Sequence, residues 1–104
     1  MIVEERIYTL HPGKVAEMVR LYGEEGLALQ ERYLDKFIGY FTTETGNLNQ
    51  VVFMWGFESL DDRAARRERM AQDPAWQRYL AKVTPLLLSQ ENRILKPTSF
   101  SPVR

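Results

Sequence analysis

The stretch that decides the fold is Gly39 to Arg67, which reads GYFTTETGNLNQVVFMWGFESLDDRAARR. Aromatic and β-branched residues typical of strands flank Thr45-Gly46-Asn47, a combination typical of a turn. Ser59 follows the second strand with Asp62 three residues later, which is the pattern of a helix N-cap with an approximate capping box. The segment therefore predicts a hairpin, with strands over 37–44 and 50–58, that leads directly into a helix.

The flanking sequence supplies the remaining elements. Ile2 to Leu10 reads as a strand, and Arg93 to Lys96 is predicted as the last strand. Apolar residues recur at helical spacing from Val15 to Tyr33, and Asp73-Pro74 restarts the second helix. The order strand, helix, strand, strand, helix, strand predicts one α+β domain over 1–104. Its expected fold is ferredoxin-like βαββαβ, with a four-stranded antiparallel sheet.

The second hairpin strand is apolar on both faces. Phe53 and Trp55 lie on one face, whereas Val52 and Met54 lie on the other. Two helices cover only one face of such a sheet, and a large apolar patch is rarely left exposed on a monomer. We therefore expect a homodimer that forms through the sheet, since a two-fold dimer is the commonest closed assembly. A monomer with an unusually apolar sheet is the alternative.

Composition narrows the functional classes. The 104 residues carry a formal net charge of zero, so no overall positive field attracts nucleic acid or an anionic membrane. No apolar run approaches the roughly 18 residues of a membrane span, and the acidic start does not resemble a secretory signal. The chain has one histidine and no cysteine, so it lacks the ligands of a usual zinc site. We predict a cytoplasmic protein without metal or cofactor that binds neither nucleic acid nor membrane.

Polar and aromatic side chains on the predicted strands form a candidate ligand site. Tyrosine offers a hydroxyl, arginine offers a planar fork that fits a carboxylate, and Glu44 offers a potential base. Arg6 with Glu44 equally suits a structural ion pair, and Trp55 equally suits the core or an interface. Arg93 suits either a substrate carboxylate or the dimer seam. The candidate ligand-binding residues are Arg6, Tyr8, Tyr40, Glu44, Trp55 and Arg93.

Two further features have plainer interpretations. His11 precedes Pro12-Gly13 and is expected in an exposed turn, although a histidine there could also shuttle protons. A basic cluster follows Ser59, but acidic residues lie among its arginines. We therefore expect a solvated helix face rather than a nucleic-acid surface. The cluster consists of Arg63, Arg66, Arg67 and Arg69.

Several segments, taken together, resemble the NIPSNAP family. They are Tyr8-Thr9-Leu10 with Pro12-Gly13-Lys14, Gly39-Tyr40, Leu48-Asn49-Gln50-Val51-Val52, Glu58-Ser59-Leu60, Asp73-Pro74 with Trp76, and Gln90-Glu91-Asn92-Arg93-Ile94-Leu95. The resemblance implies a dimeric α+β barrel built from ferredoxin-like subunits. It implies no activity, because that wider group includes both enzymes and small-ligand binders. The chain departs from the family pattern at two positions: family members often carry His at the position of Phe53 and Tyr at the position of Phe57, so a proton transfer that used that His is not expected here.

These features together predict a homodimer that binds a small organic molecule in an aromatic-lined pocket between sheet and helices. One alternative is a cofactor-free enzyme, similar to an oxygenase or isomerase, in which Glu44 or His11 moves protons. The other is a non-enzymatic interaction protein whose sheet faces serve only assembly. A closed cavity of at least ~300 Å³ beside the candidate residues would favour binding or catalysis over assembly.

Overall fold

The structure, a computed structural model, describes residues 1–104 as a four-stranded sheet with helices packed against one face. The strands are β1 (Ile2–Leu10), β2 (Lys36–Thr42), β3 (Gln50–Phe57) and β4 (Leu87–Leu95). They lie in the order β2-β3-β1-β4, and every neighbouring pair is antiparallel. This arrangement is the ferredoxin-like βαββαβ fold, so the predicted fold class is confirmed.

The helices form two successive regions. The first consists of α1 (Val15–Leu21), a π-helical turn (Tyr22–Gly26) and α2 (Leu27–Tyr33). The second follows the hairpin and consists of α3 (Leu60–Ala71) and α4 (Pro74–Val83), with a 3-10 turn (Thr84–Leu86) leading into β4.

Side-chain caps set the starts of α3 and α4. The Ser59 hydroxyl accepts a hydrogen bond from the Asp62 backbone N–H at 3.0 Å. The Asp73 carboxylate accepts one from the Ala75 backbone N–H at 2.8 Å. Each cap satisfies an N–H that the first helical turn leaves without a partner. Both predicted helix starts are therefore confirmed.

The centre of the hydrophobic core is the inner face of β3. Its side chains Val51, Phe53, Trp55 and Phe57 are all buried. The rings of Tyr8 and Tyr40, from the strands on either side, each lie 5.1 Å from the Phe53 ring. The apolar stripe predicted for β3 thus becomes the floor on which the helices pack.

The outer face of the sheet carries no helix. Val52 and Met54 of β3 point to this side and are partly exposed, and Ile7 of β1 lies opposite Val52. Phe41 of β2 is the other neighbour of Val52 and exposes 52% of its surface. The uncovered apolar surface formed by Ile7, Phe41, Val52 and Met54 is called the outer sheet face below.

The predicted bounds of the outer strands need correction. β4 begins at Leu87, six residues before the predicted start at Arg93. Ser89 to Asn92 lie on the edge strand β4 and are all polar and exposed. The segment therefore lacks the apolar alternation by which a strand is recognised in a sequence. Pairing with β1 makes it a strand regardless of side-chain character. β2 ends at Thr42, two residues before the predicted end.

Gly26 marks a close approach between the first helical region and α4. A Cβ placed on Gly26 would lie 2.6 Å from the Tyr79 hydroxyl and 2.9 Å from the Tyr22 ring. Both tyrosines are buried, so a Cβ at this position would force their rings to shift. Gly23, three residues earlier, has no atom within 4 Å of the same position. Gly26, unlike Gly23, therefore lies where α4 packs closely against the first helical region.

We expect Gly26→Ala to destabilise the protein by about 1–3 kcal/mol, because overpacking outweighs the better helix propensity of alanine. Gly23→Ala is the matched control, and we expect it to stabilise by up to about 1 kcal/mol. Urea unfolding followed by circular dichroism measures both. Equal stabilisation by the two substitutions would contradict the close packing at Gly26.

Candidate functional site

A cavity of about 290 Å³ lies between the inner face of the sheet and the helices. Its apolar walls come from α1, the π-helical region, β3, α4 and the start of β4, and include Met18, Phe53, Trp76, Leu80, Val83 and Leu87. Polar side chains also line it, among them Arg6, Tyr8, Gln30, Arg67 and Gln90. The exposed residues Thr84 and Gln90 mark the side open to solvent. The volume is close to the size at which small-molecule sites begin.

Arg6 and Tyr8 reach the cavity because alternate residues of β1 face the helices. Arg6 Nε donates a hydrogen bond to the Tyr8 hydroxyl at 3.1 Å, and its guanidinium carbon lies 5.5 Å from the centre of the Tyr8 ring. Arg6 Nη1 donates to Glu4 at 2.9 Å. The structure therefore brings these two predicted site residues together and fixes the Arg6 side chain in one orientation.

Glu4 is a buried carboxylate next to the cavity, with only 1% of its surface exposed. Its Oε2 accepts hydrogen bonds from Arg6 Nη1, Arg63 Nη2 at 2.6 Å and Asn92 Nδ2 at 2.7 Å. Burial alone would raise the pKa of Glu4, but these hydrogen bonds and the arginine charges lower its pKa to about 2. Glu4 is thus ionised at neutral pH and ties β1 to α3 and β4.

Arg67 of α3 projects into the same cavity. Its Nη1 is buried and has no hydrogen-bond partner. Its helix neighbours Arg63 and Arg66 each pair with a carboxylate, whereas Arg67 pairs with none. Burial and the nearby positive charge of Arg6 lower the pKa of Arg67. The cavity therefore contains a guanidinium with unused hydrogen-bonding capacity.

Tyrosines form much of the remaining wall. Burial raises the pKa of Tyr22 and Tyr79, so both phenols remain protonated at neutral pH. Tyr22 donates to Gln30 Oε1 at 2.5 Å, whereas the buried hydroxyl of Tyr79 has no partner. Tyr79 thus presents a second polar group that the protein itself leaves unpaired.

Tyr40, another predicted site residue, lies in a neighbouring space. Its ring stacks on Tyr22 at 4.2 Å, and it lines a more open depression of about 330 Å³ together with Val19 and Phe37. Tyr22 borders both spaces. The predicted set is therefore divided by the Tyr22 ring, with Arg6 and Tyr8 on one side and Tyr40 on the other.

The other three candidates lie away from the cavity. Trp55 is 2% exposed and packs against Phe37 at 5.1 Å, which agrees with the core alternative. Glu44 is exposed in the loop between β2 and β3, and Arg6 pairs with Glu4 rather than with Glu44. Arg93 lies in register with Glu5 of β1, and its Nε donates to Glu5 at 2.6 Å. Strand alternation places both Glu5 and Arg93 on the outer side of the sheet.

The expectation of a solvated basic face on α3 is wrong for three of its four arginines. Arg63, Arg66 and Arg67 are partly buried, and only Arg69 is exposed. Arg66 bonds to Asp62 at 2.9 Å and to the Tyr33 carbonyl at 3.1 Å. Arg63 and Arg67 share helical spacing with the buried Met70, and this spacing was the available sequence signal for their inward direction.

The remaining sequence features are readily placed. His11 is exposed in the turn after β1, as expected for a turn residue. No group of three or more His, Asp or Glu side chains is arranged to hold a metal ion. None of the helices combines the length and apolar character that crossing a bilayer requires.

The lowered pKa of Glu4 predicts a specific loss of stability in acid. A carboxylate whose folded pKa lies below its unfolded pKa stabilises the fold above pH ~4.5, and this contribution is lost as pH falls towards 2. The shift corresponds to about 3 kcal/mol. We expect Glu4→Gln to flatten the pH dependence of the free energy of unfolding below pH 5, and to destabilise the protein at pH 7 by leaving two arginines unpaired.

Urea unfolding between pH 2 and pH 7 measures this effect, with Glu44→Gln in the exposed loop as the control. Carboxyl carbon NMR of the wild type provides a direct second readout of the Glu4 pKa. An ordinary Glu4 pKa, or a Glu4→Gln slope equal to that of the wild type, would contradict the assigned role.

Comparison with known proteins agrees with this fold. The sequence model of the NIPSNAP family matches residues 3–102. A NIPSNAP family protein from Agrobacterium tumefaciens is 52% identical, with a TM-score of 0.96 and coverage of 99% of this chain and 98% of that chain. A second Agrobacterium structure, described as a NIPSNAP family protein with unknown function, is 40% identical, with a TM-score of 0.97, and covers 100% and 94%.

More distant similarity extends to longer proteins and to other families. Protein NipSnap from Drosophila melanogaster is 33% identical over 97% of this chain, which spans 36% of its length. Human Protein NipSnap homolog 3A is 44% identical over 66% of this chain and is matched over 28% of its own length. An antibiotic biosynthesis monooxygenase shares the fold at 12% identity, with a TM-score of 0.69 over 94% of this chain and 99% of that one.

The family model matches residues 3–102, and the chain superimposes almost completely on a family structure. The chain belongs to the NIPSNAP family.

Proposed function

We propose that this protein binds a small organic molecule in the cavity between its sheet and helices, and that it works as a homodimer. The observation that carries the proposal is the cavity itself, about 290 Å³ in volume and walled mainly by apolar and aromatic side chains. The space opens to solvent beside Thr84 and Gln90, so a small molecule can reach it from outside.

The unpaired polar atoms of the cavity support a ligand. Arg67 Nη1 and the Tyr79 hydroxyl are buried without partners, although both residues line the space. Leaving a buried polar group unsatisfied costs about 1–3 kcal/mol. Such groups in an apolar pocket are typical of sites where a ligand completes the hydrogen bonds.

The size of the cavity limits the ligand. Since liquid water occupies about 30 Å³ per molecule, the space holds on the order of ten non-hydrogen atoms. A single aromatic ring with a short polar side chain fits this limit, whereas a large polycyclic compound does not.

The available acid and base groups favour binding over proton transfer. Glu44 and His11, the bases expected for an enzyme, are exposed and do not line the cavity. Glu4, the buried carboxylate beside the cavity, has a pKa of about 2 and is therefore a weak base near neutral pH. An efficient general base has a pKa near the working pH.

The homodimer is supported by the outer sheet face. This surface is apolar, and the helices of one subunit do not cover it. A second copy placed sheet against sheet would shelter both surfaces at once. In this arrangement the ligand cavity lies on the helical side of each sheet, so each subunit holds its own site.

A cytoplasmic location is also part of the proposal. The chain contains no cysteine, which is compatible with a reducing compartment. Fractionation of the source cells tests it, and recovery mainly in a membrane or secreted fraction would contradict it.

Native mass spectrometry of protein purified from its source tests ligand binding. We expect a retained organic molecule that is released on denaturation. Leu80 lines the cavity, so Leu80→Trp should fill the space and abolish retention, whereas Leu60→Trp on the exposed start of α3 should not. Protein that retains nothing, or equal retention by both variants, would contradict binding in this cavity.

Sedimentation velocity tests the homodimer. We expect wild-type protein at micromolar concentration to sediment with twice the 12.2 kDa chain mass. Phe41→Glu introduces charge into the outer sheet face and should produce monomers. Phe100→Glu is the matched control, since Phe100 is 84% exposed in the C-terminal tail. A monomeric wild type, or a dimer unaffected by Phe41→Glu, would contradict assembly through this face.

A further inference from the structure

We propose that the ligand of the cavity is an organic carboxylate and that Arg67 binds its anionic group. This inference rests on the proposed function, since it assigns a chemical class to the molecule that the cavity holds. It depends on the charges around the cavity and on which hydrogen-bond donors are still available.

The side chains around Glu4 have an excess of positive charge. Arg6 and Arg63 both pair with the same oxygen of Glu4, and Arg67 adds a third guanidinium on the same side of the sheet. One carboxylate therefore faces three arginines, which leaves two positive charges in excess. Arg66, the next arginine on α3, is neutralised by Asp62.

Of these arginines, Arg67 is the one available to a ligand. Arg6 is held by Glu4 and Tyr8. Arg63 is held by Glu4 and does not line the cavity, although its Nε is also unpartnered. Arg67 Nη1, by contrast, is buried and unpartnered in a residue that lines the cavity. A guanidinium presents parallel N–H groups that match the two oxygens of a carboxylate.

The other lining groups suit a carboxylate attached to an apolar body. The Tyr8 hydroxyl already accepts a hydrogen bond from Arg6, so its own proton can be donated to an anion. The Gln90 amide at the open side is another potential donor. Trp76, Leu80 and Val83 contribute apolar wall to the same cavity. Such walls fit a hydrocarbon or aromatic body better than a fully hydrophilic ion such as free phosphate.

An unoccupied Arg67 should reduce the stability of the protein. A partly buried cation without a counter-charge, close to a second cation, is unfavourable, and a bound anion would remove this penalty. Replacing Arg67 with methionine keeps an unbranched apolar chain and removes the charge. A residue retained for the fold alone would show the opposite behaviour, because its removal would lower stability.

The experiment compares three probes of known structure: 3-phenylpropionate, the neutral 3-phenylpropan-1-ol and inorganic phosphate. Binding to the purified full chain is followed by two-dimensional NMR, with the indole N–H of Trp76 and the backbone amide of Val83 as reporters of the cavity. We expect 3-phenylpropionate to bind at least tenfold more tightly than the alcohol, and phosphate to leave the reporters unchanged.

Two variants of the same helix then test Arg67 itself. Arg67→Met should abolish the preference for the acid over the alcohol and, without ligand, raise the melting temperature by about 4 °C or more. Arg69→Met is the matched control on the exposed side of α3, and it should change neither quantity. Because the alcohol continues to report on the cavity, loss of acid binding in Arg67→Met is distinguishable from unfolding.

The possible outcomes separate this inference from the proposed function. Equal binding of acid and alcohol would overturn the carboxylate assignment while leaving small-molecule binding intact. A preference for the acid that survives in Arg67→Met, a lower melting temperature of that variant, or phosphate binding equal to that of the acid would also overturn it. If neither organic probe shifts the cavity reporters, both the inference and the proposed function fail.

Discussion

A single buried carboxylate, Glu4, connects three parts of this fold. Its Oε2 receives hydrogen bonds from β1, α3 and β4, through Arg6, Arg63 and Asn92. An ionised group at 1% exposure is tolerated only because these donors and charges replace the water that it has lost. The same contacts fix the position of α3 over the sheet, and so fix where Arg67 enters the cavity. The structural ion pair and the candidate ligand site are thus parts of one arrangement.

The cavity lies beside a close contact between the two helical regions. Gly26 allows Tyr79 of α4 to approach the first helical region, and the rings of Tyr22, Tyr40 and Phe53 stack beneath that contact. Further along α4, Leu80 and Val83 line the cavity. Leu80 remains 39% exposed although it belongs to the apolar stripe of its helix. An apolar stripe that does not reach a packing partner is consistent with a wall for an apolar ligand.

Tight packing and charge distribution favour a binding role of this site over a role in proton transfer. The phenols of Tyr22 and Tyr79 stay protonated because burial raises their pKa, and Glu4 stays ionised because its donors lower its pKa. Neither kind of group changes its protonation near neutral pH. The site therefore presents fixed charges and fixed dipoles, which orient a molecule well but exchange protons poorly.

The sequence by itself determined the element order, both helix caps, the two-sided apolar strand and the placement of Arg6 and Tyr8 on one common face of β1. These features follow from local propensity and from alternation along a strand, which neighbouring residues encode. The tertiary structure alone decided that Glu4 pairs with Arg63, 59 residues away, and with Asn92, 88 residues away. It also decided that Arg67 points into a cavity, that Glu44 and Arg93 do not, and that β4 extends back to Leu87. The physical reason is that the orientation of a charged side chain and the extent of an edge strand depend on partners that are distant in the chain. The local sequence pattern does not identify those partners.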